Sequence, residues 1–420
     1  MNPQATANIK SLPKKDLTGM VIKFLLCFII WYQAAIQPYF EISNFLLLLG
    51  LLLTFFVVVD CYSNYGFTAV PRLPGTAYAL ALYFIITYIV GMAVAPDVGT
   101  HIRDGAAMVE FMVLMVFTCY YAKTRKSADF LVWNYVLMNC VMLVVFLINP
   151  VEVGSAAEGV RYSYSLNTNP NTFAMSLTIG VFGILYKIMQ KKIKVIIGLP
   201  VCGVFLYACS LTGSRKGFFG MVLALVLWAV ICYIPLSSDK KPIAAISRFL
   251  IIAAACVVLF LVLRPLLADS TLMSRFQSLG KETGDKNRLD MYVKGLEYLK
   301  NSPLFGYGFW GFGYFYGVYS HSTWVEAFVS SGIPLGVVYA VSFLSVGISL
   351  ISANNRKTAE NYETLVCVRQ YLVLFLVFVF YSICVIHIYN INSMICMGLM
   401  ISAADLAKNS ERKTNNAGNS

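Results

Sequence analysis

The chain has 420 residues, of which 59% are hydrophobic and 12% charged, with a mean hydropathy of +0.71 and a formal net charge of +12. A soluble domain carries about a quarter charged residues, so this composition excludes an ordinary soluble fold. The apolar runs approach the roughly 20 residues that cross a bilayer as helix. They are continuous rather than alternating, which excludes a β-barrel. An all-α polytopic membrane protein is predicted.

In chain order, a polar and basic tail over 1–19, with Lys10, Lys14 and Lys15, precedes an uncleaved first span. Hydropathy predicts twelve spans, at about 20–38, 42–59, 76–95, 105–122, 128–148, 167–187, 194–211, 215–235, 248–267, 323–351, 367–388 and 391–407. The organisation expected is a cytoplasmic tail at 1–19, nine spans within 20–267, a large periplasmic loop at 268–322, three spans within 323–407, and a cytoplasmic tail at 408–420. The run 323–351 is long enough for a short helix followed by a span.

Lys and Arg set the orientation. With the N-terminus inside, 21 of the 32 fall on inner segments, in clusters such as Lys123/Arg125/Lys126, Lys187/Lys191/Lys192/Lys194 and Lys408/Arg412/Lys413. Six of the other 11 lie between the ninth and tenth spans, and Arg264 lies near the end of the ninth. Topology therefore explains the positive charge without a nucleic-acid partner. The eleven cysteines lie in or beside apolar runs with no C-x-x-C pair or metal-ligand spacing, and read as packing residues.

Few residues outside the spans suit chemistry. In "LTGSRKGFFG", Leu211 to Gly220, Arg215 and Lys216 open a helix at the outer surface. A cation there opposes the helix dipole unless an anion is near; the plain alternative is a snorkelling anchor. In "GDKNRLDMYVKGLEYLKNSP", Gly284 to Pro303, Asp285 or Asn287 can cap a helix that Ser302-Pro303 ends. Leu289, Tyr292, Val293, Leu296 and Leu299 make one apolar face, so an amphipathic helix resting on the membrane surface or the bundle is predicted, with Arg288 in its first turn. The glycine-aromatic run "PLFGYGFWGFGYFYGVYSHS" reads mostly as an interfacial belt. His321 ends it, with Ser322 or Thr323 placed to cap the next helix. His101 and His387, the other histidines, also fall near outer span ends. Glu326, five residues after His321, does not share its helical face. No zinc-protease, nucleophile-elbow or P-loop motif occurs.

The order of an outer "SRKG", then "NRLDMYVKGLEYLKNSPLFGYGFWGFG", then "HSTWVEAFVSSGIPLG" resembles the bacterial O-antigen ligase and polymerase superfamily. "NTNPNTFAMSL", Asn167 to Leu177, resembles that family's sixth-span start, and the likeness covers about 160–350. It implies a GT-C-like, metal-independent, inverting membrane glycosyltransferase without a cofactor, in the bacterial inner membrane with both termini cytoplasmic. The donor implied is an undecaprenyl-pyrophosphate-linked oligosaccharide. The acceptor is a glycan or lipid A-core, with a chain-length regulator as a further partner.

Matching the family's residues assigns the pyrophosphate to Arg215 and Arg288 and the catalytic role to His321, with Lys216, Glu326 and Asn169 as secondary candidates. The family pattern places a glycine where this chain has Leu335, with Gly336 one residue later, and the Arg288–His321 stretch is compact. Both favour a polymerase of surface-polysaccharide repeat units over a ligase. The reading outside the enzymes is a lipid-linked oligosaccharide flippase or transporter, which should line a central cavity with charges; mid-span ionisable residues are few, Glu110 among them.

Overall fold

The computed structural model describes residues 17–40, 45–65, 73–153, 160–233, 272–273, 283–355 and 362–418. Eleven long helices occupy the predicted spans: α1 (Leu17–Trp31, continued by a π-helical turn Tyr32–Ile36), α2 (Phe45–Tyr65), α3 (Gly75–Val94), α4 (Val98–Tyr121), α5 (Arg125–Ile148), α6 (Pro170–Met189), α7 (Val195–Leu211), α8 (Arg215–Leu227, continued by a π-helical stretch Trp228–Tyr233), α11 (Thr323–Asn355), α12 (Tyr362–Cys384) and α13 (Ile391–Gly418). Two shorter helices, α9 (Thr283–Asn301) and α10 (Gly311–Tyr316), precede α11. The ninth predicted span, 248–267, lies outside the described residues. Among the described residues nine helices are long and apolar enough to cross a membrane. Of the remaining two, α4 is more polar, with Arg103 and Asp104 near its start, and α7 has 17 residues.

The core is built on α6, which is buried on every side because its sequence is apolar almost all round. It packs against α5, α7, α8 and α12, while α13 packs against α4, α11 and α12. Lipid would meet the outer helices, where Leu48, Leu51, Phe55, Ile89 and Val144 face outward.

The two ends of the bundle differ chemically. At one end Asp129 pairs with the buried Lys187 and, at 2.7 Å, with Lys192, while Thr18 donates to Asp60 at 2.7 Å. Lys23, Lys123 and Lys191 cover the rings of Phe130, Tyr120 and Tyr362 at this same end. The opposite end carries a short antiparallel hairpin, β1 (Val151–Val153) and β2 (Arg161–Ser163), with Val151 facing Ser163 and Val153 facing Arg161. Strand alternation turns Arg161 and Ser163 inward and Tyr162 outward.

The long run that begins at Thr323 is two pieces, as its length predicts. Gly332, at φ 74° and ψ 178°, breaks α11 into a short helix and the span that follows. The glycine-aromatic loop satisfies the broken backbone: Tyr307 N–H donates to Val329 O at 2.9 Å, Gly308 N–H to Ser330 O at 2.8 Å, and Ile333 N–H to Pro303 O at 2.7 Å. Only glycine fits at Gly332, since a Cβ would lie 2.4 Å from Leu304 O. The loop is therefore only partly the belt that was expected. Phe305, Tyr314 and Phe315 are exposed, but Phe309 and Phe312 are buried, Phe309 stacking between Phe84 and His101 at 6.0 Å from each.

The amphipathic helix α9 forms, with one correction. It begins at Thr283, so Asp285 and Asn287 lie inside it rather than capping it, and Arg288 sits in its second turn. Of its apolar stripe, Leu289, Val293 and Leu296 are exposed, as on a helix resting on the membrane surface, while Tyr292 and Leu299 are half-buried and Tyr292 bonds to α12. A different face, Met291, Gly295 and Tyr298, packs on Phe312, Val325 and Val329. Gly295 lets Val325 approach closely on that face.

Candidate active site

The site is assembled around the C-terminal end of α12. The last four carbonyls of any helix lack intrahelical partners. Here those at the end of α12 and just beyond are taken by side chains from three other elements. Lys216 Nζ, from the first turn of α8, donates to Cys384 O. Tyr292 O–H, from α9, donates to Ile383 O at 2.8 Å. Ser322 and Thr323, at the start of α11, donate to Ser382 O at 3.4 Å and Val385 O at 2.8 Å. Ser322 stands at the N-cap position of α11, its carbonyl accepting Glu326 N–H at 3.1 Å, while its hydroxyl and that of Thr323 donate to the α12 end. A cation at a helix C-terminus suits the dipole, which explains how Lys216 is held at the unfavourable N-terminal end of its own helix.

This convergence collects positive charge. Lys216 feels the charges of Arg288, Arg161 and Arg215. Arg215 and Lys216 are both buried, and Arg288 is half-buried. Ser214 caps α8, its Oγ accepting Gly217 N–H at 3.2 Å, which sets Arg215 as the first helical residue, as expected. Arg161 is locked in place: Nε donates to Thr212 O at 3.1 Å and a terminal nitrogen to Asn171 Oδ1 at 3.0 Å. Asn171 Oδ1 also accepts from Ser214 Oγ at 2.8 Å, so β2, α6 and the α7–α8 turn share one network.

His321 stands at the edge of this cluster. Its backbone is left-handed, at φ 60°, a region that few non-glycine residues occupy. The turn is locked on both sides. Ser320 N–H donates to Glu326 Oε1 at 2.7 Å, and Ser320 Oγ donates to Ser322 O at 3.0 Å. Glu326, fully buried and also bonded by Tyr389 O–H at 3.1 Å, thus holds the turn from beneath. The imidazole packs edge-on to Tyr319 at 4.5 Å between ring centroids. Burial lowers its pKa to about 4, and Lys216 and Arg288 push in the same direction. It is therefore neutral at physiological pH, with a nitrogen able to accept a proton.

Other candidates have different places. Asn169 caps α6, its Oδ1 accepting Asn171 N–H at 2.8 Å. His101 is buried in the core, with Nε2 2.9 Å from Tyr88 O. His387 is buried too, between Thr323 Oγ1 and Tyr339 O–H, each at 3.0 Å. Since the Thr323 hydroxyl proton goes to Val385 O, His387 donates from Nδ1 and accepts at Nε2. Burial holds its pKa at about 3. Among the described residues no three His, Cys, Asp or Glu side chains gather where they could hold a metal ion. The clustered charge is positive and suits an anion.

Sequence reasoning missed Arg161. It lies in a short outer loop with no helix start to mark it, and only the hairpin fold turns it inward. The one available signal was its position eight residues before Asn169, at the start of the sixth span.

The fold and this site define a helical membrane protein with an anion-attracting centre at one end of the bundle. Residues 200–340 match the family model described as O-Antigen ligase, which places this region in the O-antigen ligase and polymerase superfamily. The matched stretch contains Arg215, Lys216, Arg288, His321 and Glu326, while Arg161 and Asn169 precede it. No curated protein matches the chain.

Proposed function

We propose that the protein is a membrane glycosyltransferase that moves a glycan from a polyprenyl-pyrophosphate donor to a sugar hydroxyl. The observation that carries this is the convergence of Arg161, Arg215, Lys216 and Arg288 beside a neutral histidine at one end of the bundle. In this reading the cations hold the donor's pyrophosphate. The imidazole of His321 takes the proton of the acceptor hydroxyl as its oxygen attacks the anomeric carbon. The bond from that carbon to the pyrophosphate oxygen breaks, and its electron pair leaves with the pyrophosphate. Attack opposite the leaving group inverts the anomeric centre.

A positioned general base supplies about 10²–10⁴-fold. Developing charge on the leaving group strengthens its contacts with guanidinium groups in the transition state. A lipid-anchored donor accounts for a site at the membrane boundary.

Polymerisation of surface-polysaccharide repeat units is the reaction we favour, supported by the compact Arg288–His321 segment. The site would then face the outer side of the bacterial inner membrane. The polysaccharide profile of a deletion strain tests it. Lipid A-core carrying single repeat units supports polymerisation. Uncapped lipid A-core with long lipid-linked chains accumulating would instead assign transfer to lipid A-core.

A further inference from the structure

A cavity of about 460 Å³ lies on the other side of α6's first turn from Arg161. It is bounded by the π-helical turn of α1, the segment before α6, and the start of α13. Six amides line it: Gln33, Gln37, Asn167, Asn169, Asn390 and Asn392. No charged side chain does.

Four of these amides are oriented from one end only, Asn390 by both Ser393 N–H and, at 3.3 Å, Ser393 O–H. The Oδ1 atoms of Asn169, Asn390 and Asn392 accept from Asn171 N–H at 2.8 Å, Ser393 N–H at 3.0 Å and Tyr135 O–H at 3.1 Å. Asn167 Nδ2 donates to Pro38 O at 3.1 Å. The opposite end of each amide remains available to a ligand. Gln33 Oε1 is buried without a hydrogen-bond partner, a state that ordinarily costs stability. Gln33 stands in the π-helical turn, a distortion that recurs at functional sites.

We propose that this cavity is a binding site for a neutral saccharide. Sugar hydroxyls both donate and accept, which matches amide NH₂ and C=O groups. Tyr164 and Phe173, also in the lining, offer ring surface to the apolar face of a sugar. A phosphate would find no cation here, and a metal ion no carboxylate. The volume lies within the roughly 300–1,000 Å³ of small-molecule sites.

The cavity and the cationic centre share α6's first turn, where Asn169 faces one and Asn171 holds Arg161 for the other. A glycan seated in the cavity would lie beside the pyrophosphate site. The source of that glycan, donor or acceptor, rests on the function proposed above.

The test is ligand-observed NMR on the full-length protein in nanodiscs, with a panel of neutral gluco-, galacto- and rhamno-configured di- and trisaccharides. Wild type should bind at least one of them. Gln33→Leu should bind it about tenfold more weakly, the equivalent of one good hydrogen bond. Thr172→Trp, at an exposed rim position, should fill the cavity and abolish binding with an unchanged thermal midpoint. Inorganic pyrophosphate binding should be unaffected by both substitutions and weakened by Arg215→Ala. In the transfer assay, a raised KM for donor or for acceptor in Gln33→Leu identifies which glycan occupies the cavity. No saccharide binding by wild type, or wild-type binding in both variants, overturns the proposal. Saccharide binding without pyrophosphate binding would leave the cavity standing and remove the proposed function.

Discussion

Lys216 Nζ donates to the main-chain carbonyl of Cys384, which ties the first turn of α8 to the last turn of α12. Tyr292 of α9 reaches the neighbouring carbonyl of Ile383. Three elements that carry Arg215, Arg288 and His321 are thus hung on one helix end.

Replacing either guanidinium should show what it holds. Arg215→Ala and Arg288→Ala are expected to lower transfer about 10²–10³-fold each, as removal of one transition-state stabiliser does. Arg→Lys should recover only part of this, because an ammonium cannot form the bidentate fork. Membrane insertion, followed by thermal melts in detergent, should be unchanged. Full activity in Arg288→Lys would leave charge as the only requirement there.

Arg161 should behave as part of the same unit. Arg161→Gln is expected to lower transfer, and Asn171→Ala to lower it less, since Asn171 orients Arg161 and Ser214 together. The double variant should be no worse than Arg161→Gln alone, because the two residues are in contact. Additive losses would separate them.

The pH profile follows from His321. A base works only when neutral, so kcat/KM should hold through mildly acidic pH and fall as pH drops through about 4. Lys216→Met removes a positive neighbour, so the imidazole pKa rises and the acid limb moves to higher pH. The limb in kcat should also lie above that in kcat/KM, because bound pyrophosphate offsets the cations. A profile that Lys216→Met leaves in place would detach His321 from the reaction.

Gly332→Ala tests the broken helix. The substitution adds a Cβ against Leu304 O at a positive φ, so a loss of at least about 1–3 kcal/mol is expected from backbone strain alone. A lowered unfolding midpoint in detergent checks this. An unchanged midpoint would mean that the segment 303–308 is not locked to α11.

Sidedness is checked by impermeant thiol reagents. Glu297→Cys on α9 and Lys408→Cys on α13 should label from opposite sides of intact cells and inverted vesicles, as the Lys and Arg distribution predicts. Labelling from the same side would contradict the placement of the site at an outer face.

The helices were legible because burial in lipid demands long apolar runs, and 20-residue windows find them. Arg215 and His321 were legible because each sits at the mouth of such a run. Arg161 was not, since what turns it inward is a three-residue strand pair with no sequence signal of its own. The face of α9 that meets the protein was not legible for a related reason. Its hydrophobic stripe is real, but Gly295 allows Val325 to approach on another side. The end of α12 was invisible because it contributes backbone carbonyls, which any sequence could supply.

The most direct measurement is single-turnover transfer by purified His321→Gln with a lipid-linked donor and its acceptor. Glutamine keeps a hydrogen-bonding group but not the basic nitrogen. Donor binding should stay near wild type, since Arg161, Arg215, Lys216 and Arg288 remain, while transfer falls about 10²–10⁴-fold. Near-normal turnover by His321→Gln would contradict the assignment of His321 as the base, and Glu326, buried beneath the same turn, would be the next residue to test.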